Sequence, residues 1–200
     1  MLISALHGLV TGAGLIIAIG AQNAFVLGQG LRREHPWVVA IICALCDWLL
    51  IGLGVLGLGR LIASQEGLML VARLGGAAFL LWQAWLALRR VYCSDGLIAG
   101  VALRSSRRRV ILATLAVTLL NPQVYLDTLI MLGAIGAAQA SPLGFYFGAA
   151  VASFGWFFGL VAAASWLAPR LESPIVWRVI DGFIAVILTA VAIGLLAGIE

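Results

Sequence analysis

Apolar residues run in long, nearly unbroken stretches along this 200-residue chain. Six stretches can be drawn: Leu2–Leu31, Trp37–Leu61, Leu68–Leu88, Val110–Ala138, Pro142–Leu167 and Ile175–Ile199. A helix needs about 20 residues to cross the hydrocarbon core of a bilayer, and each stretch is long enough. Most gaps between them are a few residues long, which makes consecutive spans antiparallel neighbours. The exception is the polar segment from Arg89 to Arg109, whose RRVYCSDG and RSSRRR ends read as a solvated loop. Little chain is left for a soluble catalytic domain. The pattern predicts an all-α membrane protein of about six transmembrane helices, built as one domain over residues 1–200.

Composition agrees with the pattern. Hydrophobic residues make up 64% of the chain and charged residues only 10%. A water-facing surface needs about 25% charge, so bilayer is the fitting solvent. The 12 basic residues are all arginine and stand against 8 acids, giving +4. No aromatic-interleaved basic stripe or nucleic-acid motif accompanies this excess. The arginines instead cluster between the apolar stretches, where a positive bias marks the cytoplasmic side. Arg32, Arg33, Arg89, Arg90, Arg104, Arg107, Arg108, Arg109, Arg170 and Arg178 follow the first, third and fifth spans; Arg60 and Arg73 lie on the other side. The first set is then cytoplasmic and both termini are external. The hairpin Gln139-Ala140-Ser141-Pro142 carries no charge, as suits a translocated turn. No basic residue precedes the first stretch, so it is expected to stay in the membrane and not to be cleaved as a signal peptide.

Other chemistry is sparse. Cys43, Cys46 and Cys93 do not form a disulfide framework, and His7 and His35 are too scattered for a metal site. There is no phosphate-binding loop for ATP. Neither metal nor organic cofactor is expected. The CxxC formed by Cys43 and Cys46 has a redox reading and a plainer one, in which Cys is a small apolar packing residue. Small residues recur at four-residue spacing in Gly8/Gly12, Gly144/Gly148 and Gly155/Gly159. Such pairs let helix backbones approach closely, within one chain or in a homodimer.

The two halves of the chain look related. Ile19-Gly20-Ala21-Gln22-Asn23 in the first span parallels Leu120-Asn121-Pro122-Gln123-Val124 in the fourth. Each sets a helix-weakening residue just before Gln. Trp48 of the second span matches Trp156 of the fifth, and Arg73 and Arg178 open the third and sixth alike. Three spans per repeat force opposite orientations. The expected architecture is an inverted 3+3 repeat, with repeat one over residues 1–90 and repeat two over 110–200, joined by the cytoplasmic loop 89–109. Spans one and four would be interrupted, at Gly20–Asn23 and at Asn121–Pro122. Secondary transporters use such breaks near the midplane to bind their substrates.

Two acids lie deep in apolar stretches: Asp47 in the second span and Asp127 in the fourth. A mid-span charge costs roughly 2.5–3.5 kcal/mol on insertion scales and marks a functional candidate. Asp181, near the start of the sixth span, also suits a helix N-terminus on dipole grounds alone. Gln22, Asn23, Asn121 and Gln123 sit on the two interruptions, where they can bind substrate or rescue freed backbone groups.

With these residues in view, the chain resembles the LysE/ArgO family of basic amino-acid exporters. The likeness runs through IGAQNAFVLGQGLRR, the Asp47 region with GVLGLG, GGAAFLLW, TLLNPQVYLDT, ASFGWFFG and WLAPRL, in order, over nearly the whole chain. It implies an inner-membrane exporter of L-arginine, L-lysine or similar small cationic solutes. It also implies that Asp47 and Asp127 are the essential acids and that the Asn121-Pro122 break belongs to the pathway. The family pattern has Pro where this chain has Ala21, and an amide where it has Asp181.

Expelling one positive charge costs about 2.3 kcal/mol per 100 mV of inside-negative potential. Inward proton flow would offset that cost. Burial favours a protonated carboxylate and a nearby cation an ionised one, so one Asp can alternate between a proton and a substrate cation. The rival readings are export of a neutral amino acid on the same scaffold, a membrane thiol-disulfide oxidoreductase using Cys43 and Cys46, and a structural membrane subunit.

Overall fold

The computed structural model describes residues 1–17, 20–57, 66–92, 106–170 and 174–197. Cys93, Arg60, Arg104 and most of the Arg89–Arg109 loop lie outside the described residues. Among the described residues the chain is all helical: α1 (Leu2–Ile16), α2 (Ala21–Arg32), α3 (Pro36–Val55), α4 (Glu66–Tyr92) and α5 (Arg107–Leu119), then α6 (Pro122–Ala137), α7 (Pro142–Leu167) and α8 (Pro174–Ala197).

Helices α3, α7 and α8 are each long and apolar enough to cross a membrane. Two further helix pairs are each long and apolar enough together for one span and are bent at a break, where the sequence predicts the interruptions. Helices α1 and α2 meet at 81°, and α5 and α6 at 59°. Helix α4 has 27 residues, or roughly 40 Å of rise. Large apolar side chains such as Trp82, Trp85, Leu112, Phe147, Phe183 and Val186 cover the outer surface, as lipid contact requires.

The predicted interruption at Asn121–Pro122 falls between two helices: Pro122 opens α6, with Asn121 as the cap before it. At a first helical position the missing N–H belongs to no helical bond, so proline costs little there. Pro36, Pro142 and Pro174 open helices in the same way.

Both breaks expose carbonyls that lipid cannot satisfy. Each is answered by a side chain from the half-helix that follows. Asn23 Nδ2 donates to the Ile16 carbonyl at 2.9 Å, and Tyr125 Oη donates to the Leu119 carbonyl at 2.7 Å. Gln22 Nε2 reaches Thr118 Oγ1 at 3.3 Å, tying one broken span to the other.

Helix association in a membrane rests on close packing, since lipid is as apolar as leucine. The Gly pairs show this directly. Helix α1 lies along α7. A Cβ on Gly8 would strike the Phe145 carbonyl, and one on Gly148 the Ala5 carbonyl. Gly8/Gly12 and Gly144/Gly148 therefore serve packing within the chain. Gly155 and Gly159 do not: a Cβ there would meet nothing within 4 Å. The core is otherwise built from Val26, Val39, Ala40, Cys43, Ala44, Leu80, Val117, Phe157 and Val161.

The second break leads into an unusual helix. After one turn, α6 winds as a π-helix over Tyr125–Leu132. Such wide turns are rare and gather at functional sites. Asp127 lies in this segment.

Candidate functional site

A cavity of about 410 Å³ opens where the two breaks meet. That is within the range of small-molecule sites, roughly 300–1,000 Å³. Its walls bring together Gly20, Gln22 and Asn23 from the first break with Asn121, Gln123 and Asp127 from the second, and Asp47 from α3. Seven of the nine residues singled out by sequence thus share one cavity. Pro122 is buried just outside it, shaping the turn.

The two acids differ in setting. Asp47 is 1% exposed. Ser153 Oγ of α7 donates to its Oδ2 at 2.8 Å. Its Oδ1 is buried with no hydrogen-bond partner among the described residues. Asp127 is half-buried, and Gln123 Nε2 lies 3.0 Å from both of its oxygens, one helical turn away. No arginine, lysine or histidine is among the described lining residues. Two carboxylates in such a lining make a site that attracts cations.

The polar frame around them is fixed by hydrogen bonds. Trp156 Nε1 donates to Asn23 Oδ1 at 3.1 Å, so Asn23 bridges α1 and α7. Asn121 Oδ1 accepts from the Gln123 backbone N–H at 3.1 Å and caps α6. Ser153, Thr118 and Trp156 were not among the residues chosen from sequence. Ser153 and Trp156 sit one turn apart in ASFGWFFG, and a hydroxyl inside an apolar span was a usable signal. Val191, Gly194 and Leu195 of α8 also line the cavity. Nothing in their chemistry marks them.

Asp181 stands apart from the cavity. It accepts from Arg32 of α2 and from Arg90 Nε of α4, the latter at 3.2 Å, and is 7% exposed. It joins the ends of three helices on the Arg-rich face, where Arg33 also donates to the Ser165 carbonyl at 3.0 Å. Asp181→Ala removes the carboxylate that Arg32 and Arg90 both bond. Loss of charge-assisted bonds costs about 1.5–3 kcal/mol. The detergent-solubilised variant should melt several degrees lower, by scanning fluorimetry, and still bind substrate.

The CxxC pair does not look like a redox centre. Cys43 is fully buried in the core, 3.9 Å from Thr118 Oγ1, and Cys46 is partly buried; both are free thiols. Exchange chemistry needs an accessible thiolate. The double variant Cys43→Ser, Cys46→Ser should transport within about twofold of the wild type. Complete loss of activity, with normal insertion, would favour the redox rival.

A multi-pass helical protein with a polar cavity at the junction of two broken spans has the architecture of a secondary transporter. Comparison with known proteins makes the class specific. Residues 13–198 match the family model for the LysE type translocator. The chain is 44% identical over 194 residues to the arginine exporter protein ArgO of Pectobacterium carotovorum subsp. carotovorum, covering 95% of each protein. It is 43% identical over 195 residues to the protein of that name from Photorhabdus laumondii, covering 96% of this chain and 94% of the relative. The Salmonella typhi relative is 40% identical over 189 residues, covering 93% of this chain and 90% of its own length. The chain belongs to the LysE-type translocator family. It is a multi-pass transporter of the bacterial inner membrane and not an enzyme. No solved structure matches it.

Proposed function

We propose that the chain exports L-arginine, and L-lysine or close analogues, from the cytoplasm, driven by inward proton flow. The observation that carries this reading is the cavity with two carboxylates and no basic residue among its described lining. That charge balance favours a substrate with a net positive charge over a neutral amino acid. The relatives' names point the same way.

Asp127 is the partner of the substrate's cationic side chain. It is the more open of the two acids, and Gln123 holds it by both oxygens. Asp47 is the coupling group: enclosed, oriented by Ser153, and with one oxygen unsatisfied. A carboxylate there is costly without a proton or a substrate cation. Alternating the two couples them in opposite directions.

The halves move as an inverted 3+3 repeat, with the Arg-rich face cytoplasmic. In support, each group of three spans begins with a broken one, and each broken end is capped from the next half-helix. Arg32, Arg33 and Arg90 lie at that face with Asp181.

Proteoliposomes loaded with labelled arginine test the reading. External acid should speed efflux and a protonophore should remove the effect. Efflux indifferent to the gradient would sink proton coupling. Preferential efflux of threonine or leucine would sink the cationic substrate.

A further inference from the structure

An amino acid brings an α-carboxylate into this cavity, and Asp47 and Asp127 repel it. With no basic side chain among the described lining residues, the backbone is the available source of counter-charge. Two helix N-termini border the cavity, those of α2 and α6. Each helix start carries roughly half a unit of positive charge and exposed N–H groups.

The start of α6 is already occupied. Its Gln123 N–H is taken by Asn121 Oδ1 and its Val124 N–H by the Asn121 carbonyl, both at 3.1 Å. Pro122 has no N–H to offer. The start of α2 is different. Its cap is Gly20, in extended conformation at φ −140°, ψ 178°, which has no side chain to cap the first turn. Gly20, Ala21, Gln22 and Asn23 all line the cavity.

An independent feature points to a ligand in the same place. Asp47 Oδ1 is buried, lines the cavity and lacks a hydrogen-bond partner among the described residues. Buried polar atoms are rarely left unpaired. An α-ammonium group donates up to three hydrogen bonds and sits on the same carbon as the carboxylate, so one zwitterionic head answers both features.

We propose that the uncapped start of α2 seats the substrate's α-carboxylate while Asp47 Oδ1 receives its α-ammonium, leaving the cationic side chain to Asp127 and Gln123. This assignment rests on the cationic amino-acid reading above and adds what distinguishes an amino acid from a simple amine. Gly20 is then a specificity-determining position: any side chain able to cap α2 competes with the substrate.

Counterflow of labelled L-arginine in proteoliposomes tests it, with unlabelled L-arginine, agmatine and L-arginine methyl ester as competitors. Agmatine lacks the carboxylate; the ester masks its charge and keeps the ammonium. Both should compete about tenfold more weakly than arginine, the size of a helix-terminus interaction with an anion. Gly20→Asp, which places an anionic cap on α2, should weaken arginine about tenfold and leave the ester unchanged. Gly20→Ser, a neutral cap, should give a smaller effect of the same sign. Competition by the ester as strong as by arginine in the wild type would overturn the assignment and leave cationic export standing. Equal weakening of arginine and ester by Gly20→Asp would also overturn it. Absence of any arginine counterflow in the wild type would overturn both. Should Gly20→Asp fail to accumulate, the wild-type competition series decides alone.

Discussion

Asp127→Asn should reach the membrane in wild-type amounts and export arginine about a hundredfold more slowly at low substrate, the loss of one charge-assisted bond of roughly 3 kcal/mol. Asparagine matches aspartate in size and can still accept a hydrogen bond from Gln123 Nε2, but it cannot ionise. The substitution therefore removes the charge and keeps the local frame. Asp47→Asn should be as severe by a different route. Ser153 can still donate to the amide oxygen, so the fold survives. The group can no longer exchange a proton for a cation, and the response to a pH gradient should vanish. Efflux from reconstituted liposomes, read with and without an imposed gradient, separates the two defects. Full gradient-driven efflux by both variants would leave these acids as structural polar groups.

Gly54→Val should be strongly damaging although it touches neither acid. Gly54 of α3 lies against the π-helical segment of α6: a Cβ there would meet the Leu129 carbonyl oxygen and stand 2.9 Å from Gly133 Cα. Backbone cannot yield as a flexible side chain can. Valine must push α3 away from α6, and with it Asp47 from Asp127. Overpacking costs about 1–3 kcal/mol, which lowers a melting temperature by about 2–12 °C in a chain of this size. Transport should fall with it. Gly155→Val is the control, since a Cβ at Gly155 meets nothing within 4 Å; its melting temperature should not change. Equal melting of the two variants would mean that the α3–α6 contact is looser than described.

The site was largely legible before the structure because breaking a span inside lipid requires conspicuous residues. Gln22, Asn23, Asn121 and Gln123 are rare types in apolar stretches, and Asp47 and Asp127 are rarer still. Their meeting in one cavity follows from pairing broken spans. What stayed hidden depends on packing. The π-helix at Tyr125–Leu132 has no sequence code of its own; it arises where α6 lies against α3. The α8 wall is apolar, so Val191 and Leu195 gave no sign. Asp181 read alike as a binding acid or a helix-terminal one. Only three-dimensional proximity to Arg32 and Arg90 gives it a partner. The Gly8/Gly12 and Gly144/Gly148 spacings announced close packing, but not that the helices carrying them lie against each other.

Equilibrium binding of labelled L-arginine to the purified protein, read by scintillation proximity, bears most directly on the claim that the cavity between the two broken spans is the substrate site. Wild type and Asp181→Ala should bind arginine with similar affinity, because the Arg32–Asp181–Arg90 cluster lies outside the cavity. Asp127→Asn should bind at least about tenfold more weakly. Undiminished binding by Asp127→Asn together with loss of binding by Asp181→Ala would move the site to the Arg-rich face and contradict the assignment.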